Sequence, residues 1–321
     1  MKVLSKWFVI GVLALFCCCE SPQTPSSGLP ASAPDTGKKP EFVKQQQPKA
    51  LKPLTTPIKH KDYHPIYPWK KSTAKQHTIT HIPPPVGYQR KELQDNQQFA
   101  YWLRHLPLNP PGSKVYLHNG RKKPYQQGAH SVLDIDIGKR DLQQCADAVI
   151  RLKAEYHYSL KQFEDIHFNY TSGHTVSFED WRKGKKPKVS GSSVSFTNLN
   201  GKTDNSYRNF KKYMTAIFNY AGTASLSKEL KPVQIADMQI GDVFIQGGFP
   251  GHAVIVLDMA VHPTTEKKMF LVAQSYMPAQ SIHVLKNLKN KDLSPWYPLD
   301  FEGALHTPEW QFSKSDLKRF Q

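Results

Sequence analysis

A lone cysteine, one histidine and one glutamine give this sequence its clearest route to covalent chemistry. Three of the four cysteines, Cys17, Cys18 and Cys19, adjoin near the N-terminus, and only Cys145 stands apart. The residues around Cys145 predict a helix over about 142–158, with Asp141 as N-cap and Gln144 three residues on. Cys145 then falls in the first turn, where free N–H groups and the helix dipole stabilise a thiolate. A nucleophilic thiol needs a base, and the base needs a polar group to orient it. His252 opens a predicted strand after the turn Gly247-Gly248-Phe249-Pro250-Gly251, and Gln274 closes the next one. In this arrangement Cys145 attacks an acyl carbon, His252 takes the proton and Gln274 holds the ring. The bland alternative is a buried structural thiol, since cysteine is among the most buried residue types, beside one of 14 histidines.

Other residues are candidates for holding a substrate. Gln144 precedes the thiol, and Tyr276 and Gln280 belong to a polar run with Gln274 and Ser275 that suits an amide-rich peptide. Asp136 alternates with Asp134 along a predicted strand; two carboxylates invite an acid/base or metal reading, but no third ligand is evident and solvent-facing alternation explains the pair better. Trp102, Trp181, Trp296 and Trp310 are either sugar platforms or core. No CxxC pair, HExxH or P-loop occurs, so neither a metal nor another cofactor is expected.

The elements that must position these groups are legible in outline. Residues 97–106 read as a short helix ended by Pro107, and residues 115–117 and 132–137 read as strands. Residues 165–204 read as loops and short strands. A second helix covers about 207–221, with Phe210, Tyr213, Met214, Ile217 and Phe218 on one face. Three strands follow, over 241–245, 252–258 and 269–274, joined by short connections that suit an antiparallel meander. Helices first and a meander second predict an α+β domain.

The first 80 residues have a different character. Lys2 and Lys6 precede a ten-residue apolar stretch, 7–16, that is too short to span a membrane and ends at the cysteine cluster. A cysteine directly after such a stretch resembles a bacterial lipoprotein signal, which implies cleavage, lipidation of Cys18 (or Cys19) and a mature protein tethered to the cell envelope. Residues 1–18 are thus expected as the signal, 19–80 as tether and 81–321 as one globular domain. Residues 38–75 carry ten lysines against Glu41 and Asp62, in a proline-rich stretch that cannot bury enough apolar surface to fold. That charge either attracts an anionic surface or simply solvates a linker. The chain's net charge of +17 extends into the domain, but an exported chain is not expected to meet nucleic acid.

Two resemblances add to this reading. The order of a helix-first Cys145, then Gly241-Asp242-Val243-Phe244, then Gly251-His252-Ala253-Val254 is similar to the NlpC/P60 cell-wall peptidases. That resemblance implies a papain-like core, with the nucleophile helix packed on a small antiparallel sheet and with insertions. It also implies an amidase or endopeptidase acting on peptidoglycan peptides. The usual family residues around the thiol are replaced by Gln144, Ala146 and Asp147. More extensively, Phe99-Ala100-Tyr101-Trp102-Leu103-Arg104, Arg140-Asp141-Leu142-Gln143-Gln144-Cys145 and Ala273-Gln274-Ser275-Tyr276-Met277-Pro278 resemble a bacterial family known as domain of unknown function 4846. The alternative to an enzyme is a non-catalytic envelope lipoprotein that binds peptidoglycan or an acidic glycan in a degenerate cleft. A transferase or esterase could use the same thiol.

Overall fold

The computed structural model describes residues 63–70, 77–199 and 201–321. The expected signal, the lipidation site at Cys18 or Cys19 and most of the tether lie outside the described residues.

Antiparallel pairing builds a sheet of nine strands. In chain order these are β1 (Gln89–Arg90), β2 (Ala129–Val132), β3 (Lys231–Pro232), β4 (Val243–Gln246), β5 (His252–Val261), β6 (Lys268–Gln274), β7 (His283–Leu285), β8 (Tyr297–Pro298) and β9 (Leu317–Arg319). The main path runs β2-β7-β6-β5-β4-β9-β3, with β1 added to β5 and β8 to β6. The expected meander is its centre, β4-β5-β6. The sheet is larger than the small one expected, because short late strands extend it on both sides.

β5 reads as a near-continuous apolar run, and nine of its ten residues are buried. Such a run suits a strand covered on both faces. Helices α1 (Gln98–Arg104) and α2 (Cys145–Ser159) pack against it. Its one acid, Asp258, is fully buried and ion-paired with Arg90 of β1 and Arg104 of α1, so both elements are pinned to β5. Helix α4 (Tyr207–Tyr220) buries Phe210, Tyr213, Met214 and Ile217, the i, i+3, i+4, i+7 spacing read from the sequence. Ser206 caps it by accepting the N–H of Asn209 at 3.2 Å. Between α2 and α4 lie two hairpins, His167–Asn169 with Thr175–Ser177 and Lys185–Ser190 with Ser193–Asn198, separated by α3 (Phe178–Arg182). Helix α5 (Thr223–Glu229) follows α4.

Three expectations need correction. The strand expected over 132–137 is replaced by β2, which ends at Val132. Past it the acids are drawn to cations: Asp134 pairs with Lys70, and Asp136 with Arg151 and Lys211. Residues 115–117 make only isolated bridges, Tyr116 with Lys122 and Leu117 with Gln280. The domain also begins earlier than residue 81. Tyr63 is buried in the core, Tyr67 donates to the Trp102 carbonyl at 3.0 Å, and Trp102 donates back to the Ile66 carbonyl at 3.1 Å. Aromatic residues thus fasten the end of the lysine-rich stretch to the domain.

The Gly241-Asp242 pair has a structural task. Gly241 has a φ of +97° and lies under the Phe99 ring, so it suits glycine alone. The Asp242 carboxylate accepts from Arg319 of β9 at 2.6 Å and from the Gln239 N–H at 2.8 Å, closing the edge beside β4.

Candidate functional site

Helix α2 begins at Cys145, three residues later than the expected start. Gln144 is the N-cap, and its N–H donates to Asp147 Oδ2 at 3.1 Å. Asp141, the expected cap, instead accepts the Ala279 N–H at 2.6 Å and the Gln144 side chain at 3.1 Å. The correction strengthens the position of the thiol, since Cys145 becomes the first helical residue, where backbone N–H groups lack intrahelical partners. The N–H groups of Ala146 and of Ala253, the residue next to His252 in β5, favour the thiolate, but burial outweighs them. The start of α2 is thus set against the start of β5, the strand that carries His252.

His252 and Gln274 face each other across the sheet. The β4-β5 hairpin pairs His252 with Gln246, and β6 ends at Gln274. His252 Nε2 lies 2.8 Å from Gln274 Oε1. Gln274 Nε2 in turn donates to Glu309 Oε2 at 2.7 Å, and Lys123 Nζ donates to the same oxygen at 2.5 Å. A carboxylate only accepts, so Glu309 fixes the amide with its oxygen toward the ring. His252 Nε2 must then carry the proton, and Nδ1 is the basic nitrogen. This chain of partners selects a tautomer, as the third member of a catalytic triad does.

Aromatic side chains enclose the imidazole. The Tyr276 ring centroid is 4.8 Å away, Trp310 5.3 Å and Phe312 5.9 Å, and Trp310 is held by a bond to Gln246 Oε1 at 2.9 Å. Burial pushes His252 down to about 4 and Cys145 up to about 11. At neutral pH the pair rests as thiol and imidazole, with no ion pair.

The loops are tied together at the same place. Ser275 Oγ lies 2.9 Å from both the Gln143 and Gln280 carbonyl oxygens, so the end of β6 is joined to the start of α2. Gly251 lies in a tight approach. A Cβ there would meet Thr223 Oγ1 at 2.5 Å and the carbonyl oxygen of Gly248 at 2.6 Å. We expect Gly251→Ala to cost about 1–3 kcal/mol and to displace His252, measured by thermal unfolding and by activity. Unchanged stability and activity would contradict that placement.

A cleft of about 370 Å³ opens over the thiol, lined by Gln144, Cys145, Asp147, Thr223, Phe249 and Met277 among others. Gln144 is thus one of the residues that line the cleft. Tyr276 packs on the His252 ring and does not line this cleft. Gln280 is buried with its Nε2 unpartnered, and it also lies outside the cleft lining. Asp136 is not brought to the site. Burial opposes its charge, but Arg151 and Lys211 outweigh this and hold its carboxyl down at about 2. Of the tryptophans, Trp102 and Trp296 are core, and Trp181 lies under Lys186. Trp310 covers His252. Among the described residues, no cluster of His, Cys, Asp and Glu could hold a metal ion, and no helix is long and apolar enough to cross a membrane.

Sequence reading missed Glu309, Lys123 and the aromatic enclosure. Gln274 and Glu309 are 35 residues apart, and Lys123 and Glu309 are 186 apart, so no local pattern connects them.

A family model for the domain of unknown function 4846 matches residues 79–319. The chain belongs to this family. No curated protein and no solved structure matches it significantly. The 4846 domain thus spans all nine strands of the sheet and every group placed around Cys145 and His252, from Lys123 to Phe312.

Proposed function

We propose that this 4846 domain is a thiol hydrolase of papain-like design, an amidase or endopeptidase acting on peptidoglycan peptides. We propose also that an N-terminal lipid holds it at the bacterial cell envelope, exported to a periplasmic or surface-facing position. The observation that carries the hydrolase reading is the chain Lys123–Glu309–Gln274–His252, which leaves Nδ1 as the basic nitrogen of the ring, together with a thiol that opens α2. A histidine that merely filled core space would need no such tautomer control.

In this reaction Cys145 Sγ attacks the amide carbon and its proton passes to His252 Nδ1. The oxyanion is met by free N–H groups of the first turn of α2. Collapse expels the amine, which takes the proton from Nδ1 and leaves a thioester. Water, deprotonated by His252, then releases the acid and restores the thiol. Because the resting pair is uncharged, proton transfer accompanies attack.

The pH profile follows from the burial of both groups. Imidazole must be unprotonated, so kcat/KM is level from about pH 5 to 9 and falls about tenfold per unit below pH 4. A limb near pH 6.5, the ordinary histidine value, would contradict this environment. Gln274→Ala is expected to lower kcat about 100-fold with KM unchanged, since Gln274 positions the base and does not reach the cleft. An unchanged kcat would remove it from the mechanism.

The experiment is to incubate wall peptides with the wild-type chain and with Cys145→Ala and to follow products by mass spectrometry. Hydrolysis by the wild type alone is the expected result. A second reading is favoured by one observation, the burial that keeps the thiol protonated. In that reading the cleft binds a wall polymer without cleaving it. Wall peptides that bind both chains and are cut by neither would establish it.

A further inference from the structure

A second hollow, of about 520 Å³, lies beside α2 away from its thiol end. Its central group is Lys153, eight residues beyond Cys145 and so about 12 Å along the helix axis. The Lys153 ammonium sits 4.6 Å from the ring centroid of Phe99, 5.5 Å from that of Phe320 and 5.7 Å from that of Tyr156. It makes no ion pair and no hydrogen bond among the described residues, and Asp165 acts on it only at range. The other cation lining the hollow, Arg319, is engaged by Asp242 at 2.6 Å. The rings thus take part of the water from a half-buried positive charge that no carboxylate pairs with directly. An ammonium in that state gains from a partner that arrives. The remaining lining joins amides such as Asn96, Gln97 and Gln239, which give and accept hydrogen bonds, to two acids already engaged, Asp165 3.8 Å from His157 and Asp242 on Arg319.

We propose that this hollow binds a carboxylate-bearing saccharide, with Lys153 pairing with the carboxylate. The amides meet the hydroxyl and acetamido groups, and the ring edges of Phe99 and Phe320 meet the apolar face of the sugar. The site is separate from the thiol cleft: no residue lines both hollows. It holds whether or not Cys145 is catalytic.

The test compares N-acetylmuramic acid with N-acetylglucosamine, the same amino sugar without the lactyl carboxylate. Each is titrated calorimetrically into the full chain, into Lys153→Met and into Cys145→Ala. The acidic sugar is expected to bind the wild type and Cys145→Ala at least about tenfold more tightly than the neutral one. In Lys153→Met, whose apolar side chain fills the same space among the rings, that preference is lost. Lys153→Arg keeps the charge and should keep the preference. Equal affinity, or no measurable affinity, of both sugars for the wild type overturns the proposal and needs no variant. A preference that survives in Lys153→Met overturns it also. Loss of the preference in Cys145→Ala would move the site to the thiol cleft.

Discussion

Cys145→Ala should abolish turnover, lowering kcat/KM by about four orders of magnitude, while leaving the fold nearly unchanged. The two halves of this expectation have separate causes. Cys145 is 8% exposed and small, so its removal leaves a minor void at the edge of a cleft. A shift in melting temperature of only a few degrees is expected, since about 1 kcal/mol moves a domain of this size that far. The proposed activity, in contrast, depends wholly on forming the thioester. Cys145→Ser should fall almost as far, because a hydroxyl is a poorer nucleophile and burial disfavours its anion as well. Residual turnover within about tenfold of wild type in either variant would show that the chemistry does not pass through this sulfur.

The largest expected stability effect lies behind the site. Arg151 is 1% exposed and donates to Glu155 at 2.6 Å, Gln143 at 2.7 Å, Asp136 at 3.0 Å and Tyr207 at 3.2 Å. Glu155 is fully buried, and among the described residues it has besides Arg151 only the Tyr207 hydroxyl at 2.7 Å, with Oε2 unpartnered. Arg151→Met strands that carboxylate, at an expected cost of about 3–5 kcal/mol in unfolding free energy. Burial already raises the Glu155 carboxyl, and without Arg151 it rises further. A group whose folded pKa is raised is stabilised below its unfolded value of about 4.3 and loses that stability as pH rises through the folded one. The deficit of Arg151→Met should therefore be smaller at pH 5 than at pH 8. The double variant Arg151→Met/Glu155→Leu should recover most of it. Denaturant unfolding of all three variants tests this, and a deficit independent of pH would contradict it. Arg151 also holds Gln143, two residues before the thiol, so Arg151→Met should be slow as well as unstable.

Much of this site was legible because element ends are written locally. The helical stripe of α4 and the apolar runs of β4, β5 and β6 placed His252 at the start of one strand and Gln274 at the end of the next. Glycines at 247, 248 and 251 marked the intervening turn. Where the reading failed, a distant partner had outbid a local pattern. Asp141 has the type and spacing of an N-cap, yet its carboxylate is taken by the Ala279 N–H from 138 residues away. Asp134 and Asp136 alternate as strand residues do, yet ion pairs with Lys70, Arg151 and Lys211 decide their positions. Glu309 has no local pattern at all: its significance exists only once β6 and the C-terminal region meet. Tyr63 and Tyr67 lie in a lysine-rich, proline-rich stretch whose composition conceals the contacts of two rings.

The central claim is that Cys145 and His252 act as one nucleophilic pair, and acylation by a small activated ester at pH 7 tests it most directly. The full chain and His252→Ala are mixed with p-nitrophenyl acetate, and acetyl transfer is located by peptide mapping, which separates Cys145 from residues 17–19. Acetylation of Cys145 in the wild type, at least about 100-fold slower in His252→Ala, is the result expected. Acetylation at equal rates in both chains, or none at Cys145 in a folded wild type, would contradict the account.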